Sequence, residues 1–213
     1  MHFLEYTMNK VLNITPLLSR KVELLVIGIS TGGPETLGKL WQYMRPQINV
    51  PIIIVQHSLK GFENEMIYNL ENHNNKIHTQ KAIHRSIINK GEIYIAPGGK
   101  QLEFYHDPMG NGIKRFKILD ESPINDCIPS IDYVLKSAVE IYGENVATII
   151  MTGMGSDGAK GAKLVSERGG LVIVQNPDDC VVDGMPRAVL LSVKNVDYIS
   201  SLKELGEIIS FLK

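Results

Sequence analysis

Cysteine is almost missing from this 213-residue sequence, which holds only Cys127 and Cys180. Two cysteines make no disulfide framework in a chain of this size. Without C-x-x-C spacing they signal neither a zinc site nor a redox pair, and no metal is expected. Long apolar runs are missing too. No stretch approaches the roughly 20 residues needed to cross a bilayer, so membrane insertion is not expected. The start, Met1-His2-Phe3-Leu4-Glu5-Tyr6, has no basic segment leading into an apolar one, so no signal peptide is expected. There is no excess of charge of either sign. Lys and Arg number 22 against 23 Asp and Glu, and the basic residues are scattered. Such a chain has no electrostatic reason to bind nucleic acid or an anionic membrane. Internal repeats and low-complexity segments are also lacking. What remains is an ordinary globular balance, 44% hydrophobic and 21% charged, which suits a packed core and a cytoplasmic location.

Residues 1–20 show no clean periodicity and read as an N-terminal tail or short helix, with residues 21–213 forming a single domain. Leu24-Leu25-Val26-Ile27 is a short apolar run ending at Gly28, the mark of a strand buried on both faces. Pro34 to Met44 follows with Leu37, Leu40, Trp41 and Met44 at helical spacing, and Pro34 suits a first turn. Pro51 to Val55 predicts a second strand and Phe62 to Leu70 a second helix. Glu92 to Ile95 is strand-like. Leu102 to Tyr105 and Lys114 to Ile118 then flank a turn-rich stretch, Asp107 to Gly112, which predicts an antiparallel hairpin. Ser130 is placed to cap a helix running to Tyr142. The alternation resumes with strands at Val146–Met151, Leu171–Val174 and Val196–Ile199 and helices at Gly158–Arg168, Met185–Leu191 and Leu202–Leu212. The pattern predicts an α/β fold. It is a doubly wound, mostly parallel sheet with helices on both faces, a three-layer sandwich, with an inserted antiparallel β-hairpin.

Sites in such sheets lie beyond the carboxyl ends of the strands, which leaves few places to search. The first strand ends in Gly28-Ile29-Ser30-Thr31-Gly32-Gly33 and the second in Gln56-His57. The Val146–Met151 strand ends in Thr152-Gly153-Met154-Gly155-Ser156-Asp157-Gly158. A serine, a histidine and an aspartate therefore share one edge. Gly28 to Gly32 fits G-x-S-x-G, in which small neighbours let a serine project from a tight strand-to-helix turn. The N–H groups of the following helix start are available to a developing oxyanion.

Other readings of these residues compete. The Gly28–Gly33 segment also reads as a flexible or anion-binding turn. The dinucleotide fingerprint fails because Ser30 stands where its second glycine belongs. A Walker A loop over Gly33 to Leu40 fails because Leu40 replaces the hydroxyl residue. His57 alone reads equally well as a helix cap, and Asp157 alone as a turn residue. Solvent exposure accounts for His2, His73, His78, His84 and His106. It is the convergence of three residue types on one edge that points to nucleophilic catalysis.

The motifs Gly28-Ile29-Ser30-Thr31-Gly32-Gly33-Pro34, Gln56-His57, Ile95-Ala96-Pro97-Gly98-Gly99, Pro129-Ser130-Ile131-Asp132, Thr152 to Gly158, Gln175-Asn176, Cys180-Val181-Val182 and Gly184-Met185-Pro186-Arg187 occur in one order. In that order the chain resembles the catalytic domain of CheB-type chemotaxis methylesterases over roughly residues 22–200. The resemblance implies a Ser-His-Asp triad at Ser30, His57 and Asp157, with Thr31 and Met154 offering backbone N–H groups to the oxyanion, and no cofactor. It implies hydrolysis of glutamate methyl esters, with deamidation of glutamines as a companion activity. The partner it implies is the cytoplasmic helical region of methyl-accepting chemotaxis receptors.

The usual receiver domain is expected to be absent, since little more than a tail precedes Val22. A separate receiver protein or constitutive activity would then take its place. The sequence departs from the family pattern at three positions. Gln101 replaces a usual histidine, Ile128 a usual arginine, and Asp183 a common aromatic residue. These departures leave two competing readings open, a signalling or binding module of the same fold that is catalytically impaired, and a hydrolase of another small ester.

Overall fold

The computed structural model describes residue 17 and residues 20–213 except 111 and 125. The expectation for residues 1–20 therefore lies outside the described residues, apart from Leu17 and Arg20. Nine strands are present among them, β1 (Leu24–Ile29), β2 (Ile52–Gln56), β3 (Thr79–Lys81), β4 (Ile93–Ile95), β5 (Gln101–His106), β6 (Lys114–Leu119), β7 (Val146–Ile150), β8 (Leu171–Gln175) and β9 (Tyr198–Ser200). Six helices accompany them, α1 (Gly33–Tyr43), α2 (Glu63–His73), α3 (Ile131–Tyr142), α4 (Ala159–Glu167), α5 (Gly184–Ser192) and α6 (Leu202–Phe211). Seven strands form one sheet in the order β3-β4-β2-β1-β7-β8-β9. Every pairing in it is parallel. β5 and β6 form a separate antiparallel pair.

The apolar strands explain the layers. Successive side chains of a strand point to opposite faces, so a run without polar residues must be covered twice. Leu25, Ile27 and Ile29 of β1 join one core with Leu37, Leu40 and Trp41 of α1, Met66 and Leu70 of α2, and Leu205 and Ile208 of α6. Leu24 and Val26 join the other with Val134 and Leu135 of α3, Ala162 and Val165 of α4, and Met185 and Val189 of α5. The hairpin adds Leu102, Phe104 and Phe116 to this second core. Phe116 stacks edge-on against Tyr94, and Phe104 against Tyr142. The three-layer expectation holds.

The main element that pattern reading passed over is β3. It has three residues, of which only Thr79 is buried, and it exists through pairing with β4 at the sheet margin. Such a strand carries no period of its own. Ser130 caps α3 as expected, accepting from the backbone N–H of Tyr133. Residues Ser201 and Glu204 cap α6 reciprocally.

Candidate active site

Three strand ends converge on one corner. In the parallel ladder Ile29 faces Gln56, and Gly28 faces Ile150. Ser30, His57 and the Thr152–Gly158 loop therefore leave the sheet side by side at its carboxyl edge. Between β1 and β7 the chain reverses its direction of travel across the sheet, the crevice where α/β sheets hold ligands. Two glycines, Gly28 near the end of β1 and Gly32 in the turn after it, have distinct physical causes. A Cβ on Gly28 would come within 2.7 Å of Cγ2 of Ile131, so the close approach of α3 forbids one. Gly32 has φ of +77°, a conformation that side chains resist.

Within this corner His57 Nδ1 lies 3.0 Å from Ser30 Oγ. Its other ring nitrogen, Nε2, lies 2.7 Å from Oδ2 of Asp157. The surroundings of Asp157 assign the proton between them. Oδ2 also accepts from Ile131 N at 2.7 Å, while Oδ1 accepts from Ser130 Oγ and Asp132 N, both at 3.0 Å. An ionised carboxylate only accepts, so Nε2 carries the ring proton and donates it to Asp157. The lone pair of Nδ1 is left facing the serine hydroxyl.

Burial by itself pushes the Asp157 carboxyl upward. The hydrogen bond from His57 and the backbone N–H groups of Asp132 and Ile131 outweigh it, holding the carboxyl below its ordinary value. Those N–H groups belong to the first turn of α3, where helical donors lack internal partners and the helix end is positive. One residue from α4's approach thus serves as an anion anchored on α3.

Buried polar side chains hold the loops in place. Gln56 Nε2 donates to the carbonyls of Ser30 (3.1 Å) and His57 (3.0 Å). Thr152 Oγ1 donates to the carbonyl of Thr31 (3.0 Å) and accepts from Val182 N (3.0 Å). Gln175 Oε1 accepts from Thr152 N at 2.9 Å. Gln101, fully buried, accepts from Ser130 N at 2.9 Å through Oε1 and so steadies the residue that caps α3 and donates to Asp157. Pattern reading assigned none of these roles. The available signal was a lone amide closing an apolar strand, at Gln56 in β2 and Gln175 in β8.

The two residues expected to face the oxyanion differ in their surroundings. Thr31 is exposed, and among the described residues no partner is found for its backbone N–H. Met154 follows Gly153, which packs so tightly that an added Cβ would lie 2.8 Å from Ser30 Cβ. The Met154 side chain itself projects into solvent, 76% exposed. Leu59 and Val181, on the loops after β2 and β8, are exposed as well. His73, His78, His84 and His106 are exposed, as expected, and His2 lies outside the described residues. Of the departures, Asp183 pairs with Arg187, and Ile128 is half-buried before Pro129.

Cys127 enters the same corner from the segment before α3. Its sulfur, one ring nitrogen of His57 and one oxygen of Asp157 lie within 4.8 Å of one another. Burial, then the negative fields of Asp157, Asp126 and Asp132, push the thiol up to about 11. It is a neutral thiol at neutral pH.

Comparison with known proteins gives a consistent family. A family model described as CheB methylesterase matches residues 25–209. A protein-glutamate methylesterase/protein-glutamine glutaminase of Archaeoglobus fulgidus is 37% identical over 186 residues, covering 86% of this chain and 50% of that protein. A probable protein-glutamate methylesterase of Borreliella burgdorferi is 36% identical over 210 residues, 96% of this chain and 54% of that one. The crystal structure of the Thermotoga maritima CheB methylesterase catalytic domain superposes with a TM-score of 0.83 at 33% identity, covering 90% of this chain and 100% of that one. The chain spans about half the length of the curated relatives it matches.

Proposed function

Because the chain belongs to the CheB methylesterase family, we propose that it hydrolyses glutamate methyl esters on methyl-accepting chemotaxis receptors through a triad of Ser30, His57 and Asp157. The observation that carries this reading is the unbroken relay from Ser30 Oγ to His57 Nδ1 at 3.0 Å and from His57 Nε2 to Asp157 Oδ2 at 2.7 Å. Ser30 Oγ attacks the ester carbonyl while Nδ1 takes the hydroxyl proton. The imidazolium that results is steadied by Asp157, whose carboxylate stays ionised because α3 anchors it. The tetrahedral oxyanion is met by backbone N–H groups, with Thr31 the first donor and Met154 the second. Each such donor contributes about 3–4 kcal/mol to the transition state. His57 hands its proton to the departing methoxide, releasing methanol. It then deprotonates a water that attacks the acyl-enzyme, leaving a free glutamate and Ser30 restored. An amide in place of the ester would release ammonia by the same steps, which is how deamidation of a glutamine would proceed. No cofactor takes part.

Several features support the substrate class. The relatives' own names are protein-glutamate methylesterase and protein-glutamine glutaminase. Leu59, Met154 and Val181 stand exposed on the three loops that surround the serine, an apolar rim suited to the face of a substrate helix. None of Gln101, Ile128 or Asp183 hydrogen-bonds Ser30 or His57, which favours a working enzyme over an impaired module. Among the described residues no helix is long and apolar enough to cross a membrane. Residues 21–213 act as a single catalytic domain in this reading, supported by one sheet that runs from Leu24 to Ser200. A separate receiver protein regulates it, or its activity is constitutive.

The test is methanol release from methylated receptor fragments. Ser30→Ala should lower the rate by about 10⁶-fold. Release at the wild-type rate by that variant would remove the nucleophile from the mechanism, and turnover of simple esters alone would shift the substrate class.

A further inference from the structure

Three side chains of different chemistry meet at the corner that holds the triad, and one of them takes no part in the mechanism above. His57 follows β2, Cys127 precedes α3 and Asp157 precedes α4, so three separate segments deliver an imidazole, a thiol and a carboxylate to one point. Their ligand-type atoms lie within 4.8 Å of one another. We propose that His57, Cys127 and Asp157 form a binding site for a thiophilic divalent cation, zinc above all, whose occupancy switches the hydrolase off.

Five observations support it. The donor set of one sulfur, one nitrogen and one carboxylate oxygen selects zinc or cobalt over magnesium or calcium, which prefer oxygen alone. Three protein ligands leave a fourth position for water, the composition of an open zinc site. Asp157, Asp126 and Asp132 all direct negative charge at Cys127, so a cation entering there is attracted rather than repelled. The carboxylate is already fixed by Ser130 Oγ and by the N–H groups of Ile131 and Asp132, as outer partners fix the ligands of metal sites. Access is also open, since His57 and Cys127 are both partly exposed.

The effect on activity follows from the proton count. Ligation requires the thiolate, so Cys127 releases one proton to solvent. A metal on Nε2 displaces the proton that Asp157 now accepts, and that proton moves to Nδ1. The nitrogen facing Ser30 then carries a proton and can no longer accept one from the hydroxyl. Inhibition thus rests on the triad reading, whereas binding does not.

The experiment separates the two. Cobalt(II) is titrated into wild-type, Ser30→Ala, Cys127→Ala and Cys127→Ser proteins, and sulfur-to-cobalt charge-transfer absorption is followed. The wild-type and Ser30→Ala proteins should show the band. Both Cys127 variants should lack it, although each keeps Cys180. Zinc added to the wild-type protein should halve methanol release and a chelator should restore it. Cys127→Ser, matched in size, should need roughly tenfold or more zinc for the same inhibition. No band in wild type, an equal band in the Cys127 variants, equal zinc sensitivity of Cys127→Ser, or acceleration by zinc would each overturn the site. If no variant releases methanol at all, the absorption still decides on binding, and the failure belongs to the esterase reading.

Discussion

The two ends of the main sheet both gather charged side chains, and they treat them in opposite ways. At the amino end, before β1 and β2, a cavity of about 420 Å³ is lined by Lys21, Glu23, Lys90, Lys114 and Tyr142 among others. There Glu23 pairs with Lys114 at 2.7 Å, the lysine lies 4.1 Å from the centre of the Tyr142 ring, and both charges keep contact with solvent. Lys114, then Lys21, hold the Glu23 carboxyl below its ordinary value. At the carboxyl end Asp157 is held below its ordinary value too, yet it is buried and its remaining partners are backbone N–H groups and a hydroxyl. A partner side chain at the surface can swing away, and water replaces it at little cost. A backbone donor at a helix start cannot. The same direction of shift therefore describes a loose surface pair at one end and a fixed anion at the other.

This contrast breaks if substitutions at the two ends behave alike. The largest expected effect is at Asp157. Asp157→Asn should reduce methanol release by about 10⁴-fold, because an amide no longer dictates which ring nitrogen of His57 carries the proton. The stability arm has a definite sign. A carboxyl whose folded value is lowered stabilises fully above the ordinary carboxylate range, and that contribution disappears as pH falls through the lowered folded value. The Tm gap between the wild-type and Asp157→Asn proteins should therefore be widest near neutrality and should narrow below about pH 4. A gap that stays constant would mean the anchoring adds nothing.

An intermediate effect is expected one step back from the carboxylate. Gln101→Leu leaves the buried N–H of Ser130 without its acceptor, at a cost of about 1–3 kcal/mol in urea unfolding. No loss of stability would show that Gln101 merely fills space. The smallest effect is at the other end. Glu23→Gln removes a partly exposed ion pair and should cost less than about 1 kcal/mol, falling further in high salt. A larger loss would erase the distinction between the two ends.

The residues that could be read directly from the chain are those whose signal is local. Leu24 to Ile29 announces a two-sided strand by lacking polar positions, and Gly28-x-Ser30-x-Gly32 announces a tight turn by its small residues. Ser130 announces a helix start. Burying β3 or orienting Gln101 depends on partners far along the chain, so neither leaves a local trace. Gln101 is the clearer case. In the sequence it is only a departure from a family pattern, whereas in the fold its amide oxygen serves the cap of α3. Which nitrogen of His57 faces Ser30 was equally invisible, because it depends on where α3 brings its first N–H groups. Cys127 shows the limit of spacing arguments. Thirty residues separate it from Asp157 in sequence, and folding alone makes them neighbours.

The pairing of Ile29 with Gln56 has a consequence for how this scaffold can change. Ser30 and His57 each stand one residue past that rung. Side chains along a strand alternate sides, so deleting a single residue between Ile52 and Gln56 would turn the imidazole toward the wrong face. Lengthening the connection from 44 to 51 alters no such phase. The hydroxyl and the ring are thus timed by rungs of a ladder, and the length of the connection between them does not set that timing.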